Sequence, residues 1–372
     1  MNHFGLAFRN LKRRPTRSIL TVIGVALAVG SFITLYGLSQ SVQDNVQQSF
    51  EEREADLTVR RRGVAEPFGG TMPQATLSEI AKIPGVAAVS GQLLSFAATD
   101  NDDHVLAFGW AADSFFWPTV PLIEGRRPEP GEKRVALVGK DIARTLNKKL
   151  DDDITLLGDK FRIVGITNYN SVINRNAVIV GLADLQELTF RNDAVTYMSV
   201  KLESPGSEVE ADRVAAAIEA MGEFSVTKSE DVMRNDSMIG LLSAVSTAMA
   251  WIALLMGVLM VLNTLLMAVL ERTREIGILS AIGWSKQRVM RAFVIEGLIL
   301  SALGSVAGIG LGIAGSRLLS AIPAIGRYVA VSPTPGLIAM TAAAAIVLGI
   351  LGSLYPAFVA TRQSPAAALE RA

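Results

Sequence analysis

The sequence predicts an α-helical membrane protein with four transmembrane helices in a 1+3 layout and an extracytoplasmic α+β domain inserted between the first two helices. Half of the 372 residues are hydrophobic, and the mean hydropathy is +0.37. Four stretches without internal charges are long enough to cross a bilayer, which takes about 20 apolar residues. Acidic side chains concentrate between the first two stretches. A membrane anchor with one large folded insertion accounts for all three observations.

The domain boundaries follow from these stretches. The basic start and Ala26-Leu27-Ala28 would also fit a cleaved signal peptide, but the apolar run continues to Leu38, which favours an uncleaved anchor. The predicted segments are a cytoplasmic amphipathic N-terminal helix (1–17), transmembrane helix 1 (18–43), the extracytoplasmic domain (44–236), transmembrane helix 2 (237–270), a cytoplasmic coupling elbow (271–291), transmembrane helix 3 (292–316), a short external loop (317–328), transmembrane helix 4 (329–361) and a cytoplasmic tail (362–372).

The distribution of charge predicts the orientation of the chain. Residues 44–236 contain 31 Asp or Glu and 21 Lys or Arg, whereas the rest of the chain contains 4 and 14. Basic residues accumulate in cytoplasmic loops. We therefore expect a multi-pass protein of the cell (inner) membrane, with both termini cytoplasmic and residues 44–236 outside. The basic residues on the cytoplasmic side are Arg9, Lys12, Arg13, Arg14, Arg17, Arg272, Arg274, Lys286, Arg288, Arg291, Arg362 and Arg371.

Small residues predict where the spans pack. Membrane helices associate through close backbone approach at small side chains. Gly304, Gly308 and Gly312 follow one another at a spacing of four, and Gly349 and Ser353 repeat the pattern in the fourth span. The sequence leaves open whether these contacts form within one chain or across a dimer.

Glu296 is the one ionisable residue within a predicted span. Proton and ion pathways use such residues, so their scarcity argues against a transporter driven by a proton gradient. We expect Glu296 to lie near the interface and to pair with a nearby arginine, the alternative being a substrate ligand.

The elbow between the second and third spans has the most informative local sequence. The second helix is expected to continue without a breaker until Gly283, a left-handed C-terminal cap, and Ser285 is expected to cap the next helix. Apolar side chains among charges there predict either docking of a soluble partner or packing against the N-terminal helix Phe4–Lys12. The candidate docking residues are Glu271, Arg272, Arg274, Glu275, Ile276, Leu279, Ile282, Gly283 and Trp284.

The insertion alternates between strand and helix patterns. The aromatic run Phe115–Trp117 is interpreted as core, the alternative being an exposed contact patch. The predicted strands are 134–138, 154–157, 161–166, 178–180 and 197–202, with a hairpin turn at Gly158-Asp159. The predicted helices are 140–149, 183–188 and 208–221.

No catalytic motif stands out. Gly139-Lys140 is the one Gly-Lys pair, and it lacks the earlier glycine and the following Ser or Thr of a Walker A loop. Asp151–Asp153 lacks the ligand spacing of an EF-hand and predicts a solvated turn. Cysteine is absent, and His3 and His104 are the two histidines. We expect a protein that is not an enzyme and that holds no cofactor or metal itself.

Several segments together resemble the MacB/FtsX-type ABC transporter permeases. The elbow from Glu271 to Glu296 carries the most specific match. Further matches are Leu6–Leu11 with Arg13-Arg14-Pro15, Tyr355-Pro356-Ala357 with Ala360, Arg362, Pro365, Ala368 and Leu369, and, in the insertion, Glu124–Arg126, Val135–Gly139, Ile142-Ala143 and Phe161–Ile166.

The resemblance implies the permease subunit of an ATP-driven ABC exporter that works by mechanotransmission, moving substrate on the outer side of the membrane. It implies two copies of a cytoplasmic P-loop ATPase that bind ATP and Mg, a second permease chain (a homodimer), and a periplasmic adaptor with an outer-membrane channel. It also implies that the insertion divides into a porter-like part and a second subdomain. The alternatives are an FtsX-like signalling subunit that regulates a cell-wall hydrolase, and a lipoprotein-releasing permease. The sequence does not name the cargo.

Overall fold

The computed structural model describes residues 15–63, 70–99, 104–231, 237–322, 326 and 331–362. The predicted N-terminal helix (residues 1–14) and the tail beyond residue 362 lie outside these ranges. The chain divides into two compact units, a membrane unit and an inserted unit, with divisions at Ser41/Val42 and Leu242/Ser243. The helices are α1 (Pro15–Glu51), α2 (Thr76–Ile80), α3 (Lys140–Thr145), α4 (Val172–Arg175), α5 (Leu182–Leu188), α6 (Glu208–Ala220), α7 (Ser237–Glu271), α8 (Thr273–Ala281), α9 (Lys286–Ala321) and α10 (Pro335–Thr361).

Four helices within the described residues, α1, α7, α9 and α10, are long and apolar enough to cross a membrane. This confirms the predicted membrane-helical class. α1 runs eight residues past its predicted end, because no Gly or Pro interrupts residues 44–51. α10 begins at Pro335, later than predicted. Thr334 accepts a hydrogen bond from the Leu337 N–H at 3.2 Å, and proline is favoured at the first helical position.

The glycine ladder of α9 packs against α1. A Cβ on Gly304 would lie 2.6 Å from the Val25 Cβ, one on Gly308 would lie 2.6 Å from the Val29 Cβ, and one on Gly312 would lie 2.7 Å from the Ile33 Cβ. In this structure, therefore, these contacts form within one chain.

A second close contact joins α9 to α10. A Cβ on Gly297 would lie 2.7 Å from the Ser353 Cβ, and one on Gly349 would collide with the Ser301 hydroxyl. α1 and α7 are joined by the Thr21 and Thr264 hydroxyls, 2.7 Å apart. Glycine and small hydroxyl residues thus allow close helix contacts throughout the membrane unit.

The inserted unit is built on one ten-stranded mixed sheet. Its strands are β1 (Leu57–Arg61), β3 (Val86–Ala98), β4 (His104–Trp110), β5 (Leu122–Gly125), β6 (Val135–Gly139), β7 (Asp153–Leu156), β8 (Asp159–Thr167), β9 (Ala177–Gly181), β11 (Tyr197–Leu202) and β12 (Phe224–Lys228). β2 (Met72–Pro73) and β10 (Ala194–Val195) form a separate pair. The main order is β12-β1-β11-β3-β4-β9-β6-β8-β5, with β7 paired to β8. The division into two subdomains stays a prediction.

Most elements predicted in the insertion are present. β11 has the predicted bounds, while α3 ends at Thr145, four residues before its prediction. The hairpin turn lies one residue earlier than predicted, at Leu157 and Gly158, which both have positive φ, as a two-residue type I′ turn requires.

Both faces of the sheet are covered. Along β4, Val105 and Ala107 belong to one buried cluster, while Leu106, Phe108 and Trp110 belong to another. Successive side chains of a strand point to opposite faces. Phe116 is fully buried in the second cluster, and Phe115 and Trp117 pack against it. This supports the interpretation of Phe115–Trp117 as core.

Candidate functional site

The elbow, residues 271–291, consists of a short separate helix between two spans. α7 ends at Glu271, Arg272 forms a turn, and α8 then runs from Thr273 to Ala281. The prediction of one uninterrupted helix up to Gly283 is therefore wrong. The Thr273 hydroxyl donates to the Leu270 carbonyl at 2.9 Å, and such local bonds compete with helical ones.

Gly283 and Ser285 form the junction between α8 and α9. Gly283 has φ +96°, the left-handed conformation expected of a glycine cap. Ser285 takes the N-cap position of α9, but its side chain makes no capping hydrogen bond, contrary to expectation. Instead its carbonyl accepts from the Arg288 N–H at 2.9 Å. Residues 282–285 thus connect α8 to α9.

The apolar side chains of the elbow divide between core and surface. Ile276 is 4% exposed, so the expectation of an exposed side chain is wrong, while its assignment to docking and coupling stays a prediction. Because α8 is a separate helix, Ile276 packs into a cluster contributed by α7, α9 and α10. The other members of this cluster are Val269, Val289, Phe293, Ala357 and Ala360, with the half-buried Trp284 packed against them.

Two isoleucines remain on the surface of the elbow. Ile282 is 74% exposed and Ile278 is 41% exposed. Ile278 was not among the predicted docking residues, because a short apolar run does not show which side of a helix faces solvent. Arg274 and Glu275 are also exposed. We call Arg274, Glu275, Ile278 and Ile282 the elbow patch. The Leu279 side chain lies outside the described part of the chain.

Ion pairs tie the elbow to the spans. Arg17 of α1 contacts Glu271 at 2.8 Å. Arg272 contacts Glu275 at 3.3 Å and Glu296 at 4.0 Å. Glu296 is 5% exposed, and a buried carboxylate needs a partner of opposite charge. The predicted pairing of Glu296 with an arginine is confirmed, although Glu296 is more buried than an interfacial residue.

The elbow patch combines exposed apolar side chains with charged ones. Within the described residues, no group of three or more His, Cys, Asp or Glu side chains could hold a metal ion. Asp151 has positive φ and contacts Arg162 at 2.9 Å, while Asp152 accepts from the Lys149 N–H at 2.7 Å, as in a solvated turn. Exposed apolar side chains framed by charges are typical of protein contacts. The elbow patch is therefore the candidate functional site.

Comparison with known proteins assigns both parts of the chain. Residues 18–221 match the model of the MacB-like periplasmic core domain, and residues 247–365 match that of the FtsX-like permease C-terminal region. An uncharacterized ABC transporter permease of Methanocaldococcus jannaschii is 25% identical over 96% of this chain and 95% of its own length. An uncharacterized ABC transporter permease of Bacillus subtilis is 24% identical over 95% of this chain and 96% of its own length.

Other relatives are longer than this chain. The macrolide export ATP-binding/permease protein MacB of Marinobacter nauticus is 27% identical over 98% of this chain, which spans 60% of the MacB length. Among solved structures, the periplasmic region of MacB from Actinobacillus actinomycetemcomitans matches with a TM-score of 0.40 and 10% identity, covering 49% of this chain and 92% of that one.

Proposed function

This chain belongs to the ABC transporter permeases that have a MacB-like periplasmic core domain and an FtsX-like C-terminal domain, and from this premise we propose that it is an exporter permease driven by a separate ATPase. The ATPase binds ATP and Mg and docks on the elbow patch. Two permease chains and two ATPase subunits form the complex, and an adaptor with an outer-membrane channel completes the path of the substrate.

The observation that carries this proposal is the way in which the helix of the elbow patch packs against the spans. Ile282 projects at the end of α8, while Ile276 anchors the same helix among α7, α9 and α10. Movement of a protein bound at Ile282 would therefore act on three spans together. Packed interiors transmit such displacement because they are close to incompressible.

The interior of the membrane unit supports mechanical coupling. Its largest buried cluster is apolar and includes Val29, Phe32 and Ile33 of α1, Leu254 of α7 and Leu300 of α9. A polar path for ions would need ionisable side chains along it. We propose that ATPase closure shifts these helices and that the inserted unit moves substrate outside the membrane, which is mechanotransmission.

The docking assignment is tested with Ile282→Asp. We co-express the tagged permease with the P-loop ATPase encoded by a neighbouring reading frame and measure the ATPase retained on purification. Loss of a central interface anchor costs about 2 kcal/mol or more, so we expect roughly 30-fold weaker binding. The matched control is Phe190→Asp, because Phe190 is 94% exposed in the inserted unit and Asp tolerates its positive φ.

Two results would count against the proposal. Equal retention of the ATPase by wild type and Ile282→Asp would show that the elbow patch is not the docking site. Failure of the wild-type permease to retain any P-loop ATPase would contradict the proposed function itself.

A further inference from the structure

Within the inserted unit, a dense set of hydrogen bonds joins the end of α1 and the turn after it to α4. Asn45 and Ser49 of α1 and Glu52, directly after its end, lie at intervals of three or four along the chain, so they project from one side. Ser49 and Glu52 contact the side chains of Ser171 and Asn174, and Asn45 contacts the backbone of α4. We call Asn45, Ser49, Glu52, Ser171 and Asn174 the outer latch.

Glu52 is the centre of the outer latch. Its carboxylate accepts from the Ser171 N–H at 2.9 Å, the Ser171 hydroxyl at 2.9 Å and the Asn174 side-chain amide at 2.8 Å. It also accepts from the Asn170 N–H. Hydrogen bonds to a charged acceptor are about twice as strong as neutral ones. A single carboxylate thus satisfies four donors at the beginning of α4.

Asn45 and Ser49 complete the outer latch. The Asn45 side-chain oxygen accepts from the Val172 N–H at 3.1 Å. The Ser49 hydroxyl donates to the Asn174 side-chain oxygen at 3.0 Å, and the Asn174 amide donates to the Ser49 carbonyl at 3.3 Å. Ser49 and Asn174 are both buried. The contacts therefore extend from Asn45 in the last turns of α1 to Glu52 just after it.

Arg53, directly after Glu52, holds the chain against two aromatic rings. It is 5% exposed, and its guanidinium lies 4.5 Å from the centre of the Phe108 ring and 5.4 Å from that of Phe50. Burial lowers its pKa to about 10, so it stays protonated at neutral pH. A protonated guanidinium over aromatic rings is held by cation–π attraction. Because Phe108 belongs to β4, the end of α1 is fixed to the centre of the sheet.

The order of α4 depends on α1. α4 has four residues, too few to be stable by itself. The first N–H groups of a helix have no partner within it, and here Asn45 of α1 and Glu52, directly after α1, supply partners for the donors around its beginning. α4 also connects β8 to β9, and β9 pairs with both β4 and β6. Displacement of α1 would thus reach the middle of the sheet through α4.

We propose that Glu52 is a positioning residue for export, and that it makes α4 follow the movement of α1 during the ATP cycle. This inference rests on the proposed function and deepens it. Without the Glu52 carboxylate, the ATPase still turns over, but α4 no longer follows.

Hydrogen exchange at the segment from Asn168 to Asn176 tests this. The permease–ATPase complex in lipid nanodiscs is compared without nucleotide and after trapping with ATP and vanadate. In wild type we expect at least a threefold change in the exchange of this segment on trapping. In Glu52→Ala we expect fast exchange in both states and ATP hydrolysis within twofold of wild type.

Matched variants separate positioning from general damage. Glu51→Ala removes the neighbouring carboxylate, which is exposed and accepts from Gln47 of the same helix at 2.9 Å, and should behave as wild type. Glu52→Gln keeps one carbonyl acceptor and should restore part of the response. If β9 also exchanges faster in Glu52→Ala, the substitution has damaged the sheet. Glu52→Gln and Asn174→Ala, which remove fewer hydrogen bonds, then test whether α4 still responds to nucleotide.

Two outcomes overturn the inference. One is a wild-type complex whose α4 exchange does not respond to nucleotide. The other is a Glu52→Ala variant whose exchange in this segment changes on trapping as much as in wild type. If Glu52→Ala unfolds, the same result in both Glu52→Gln and Asn174→Ala overturns the inference. A chain that binds no ATPase contradicts the proposed function instead, so the two failures are distinguishable.

Discussion

Gly308 lies at a close contact between α9 and α1. A Cβ there would lie 2.6 Å from the Val29 Cβ and 2.8 Å from the Ala26 carbonyl oxygen, distances that real side chains do not reach. Gly310, two residues along the same helix, has no atom within 4 Å of the equivalent position. The two glycines therefore differ in environment while sharing a helix.

We predict that Gly308→Ala destabilises the protein and Gly310→Ala does not. Overpacking a tight contact costs roughly 1–3 kcal/mol, and the Ala26 carbonyl belongs to the backbone and cannot rotate away. Thermal unfolding of the detergent-solubilised protein should show a lower Tm for Gly308→Ala. An equal Tm for the two variants would mean that this contact is absent in solution.

Among single residues, the sequence predicted the glycine ladder but not the outer latch. The spacing of Gly304, Gly308 and Gly312 predicted a close helix contact, because a period of four returns to one side of a helix. The partner helix could not be predicted, because all four spans carry small residues. The outer latch was not predicted at all. Glu52 looks like any other glutamate of an acidic domain until α4 is placed against it.

At the scale of elements, α8 changed the interpretation of the elbow. The sequence places Ile276, Ile278 and Ile282 in one apolar run, but the turn at Arg272 sets the face of α8 that meets α9 and α10. Ile276 consequently faces the core and Ile282 faces away. The Thr273 hydroxyl donates to the Leu270 carbonyl beside this turn, a bond that a count of helix breakers overlooks.

The same truncation at these two isoleucines should have opposite consequences. Ile276→Ala leaves a cavity among α7, α9 and α10 and should cost about 2–5 kcal/mol. Ile282→Ala alters an exposed side chain and should stay within about 0.5 kcal/mol. Denaturant unfolding of the purified permease measures both. Equal destabilisation would show that Ile282 is buried by a part of the chain outside the described residues.

β4 shows why part of the inserted unit was missed. A strand covered on one face alternates between apolar and polar residues, but β4 is covered on both. Its sequence, from His104 to Trp110, is apolar almost throughout and shows no alternation. β6 and β11 were found because β-branched residues mark them and helix or turn signals bound them.

At the scale of the whole molecule, the charge asymmetry predicts which side of the membrane each part occupies. The chain contains no cysteine, so single cysteines can report accessibility without background. Phe190 and Ser285 are both exposed, one in the inserted unit and one in the elbow.

We predict opposite labelling of Phe190→Cys and Ser285→Cys by a membrane-impermeant maleimide. Basic residues around Ser285 should retain it in the cytoplasm. Phe190→Cys should be labelled in right-side-out vesicles, and Ser285→Cys only in inside-out vesicles. Labelling of both cysteines from the same side would contradict the proposed topology.

Three features can be read from the amino-acid sequence alone: the number of spans, the insertion of a folded domain and the resemblance to ABC permeases. These depend on composition, periodicity and contiguous motifs, which are local properties of a chain. Three others are visible only in the folded protein: which elbow isoleucine is exposed, which helix meets the glycine ladder and which carboxylate joins the end of α1 to α4. These depend on pairs of residues far apart in sequence, such as Glu52 and Asn174, and no local pattern records which distant side chain will satisfy a buried polar group.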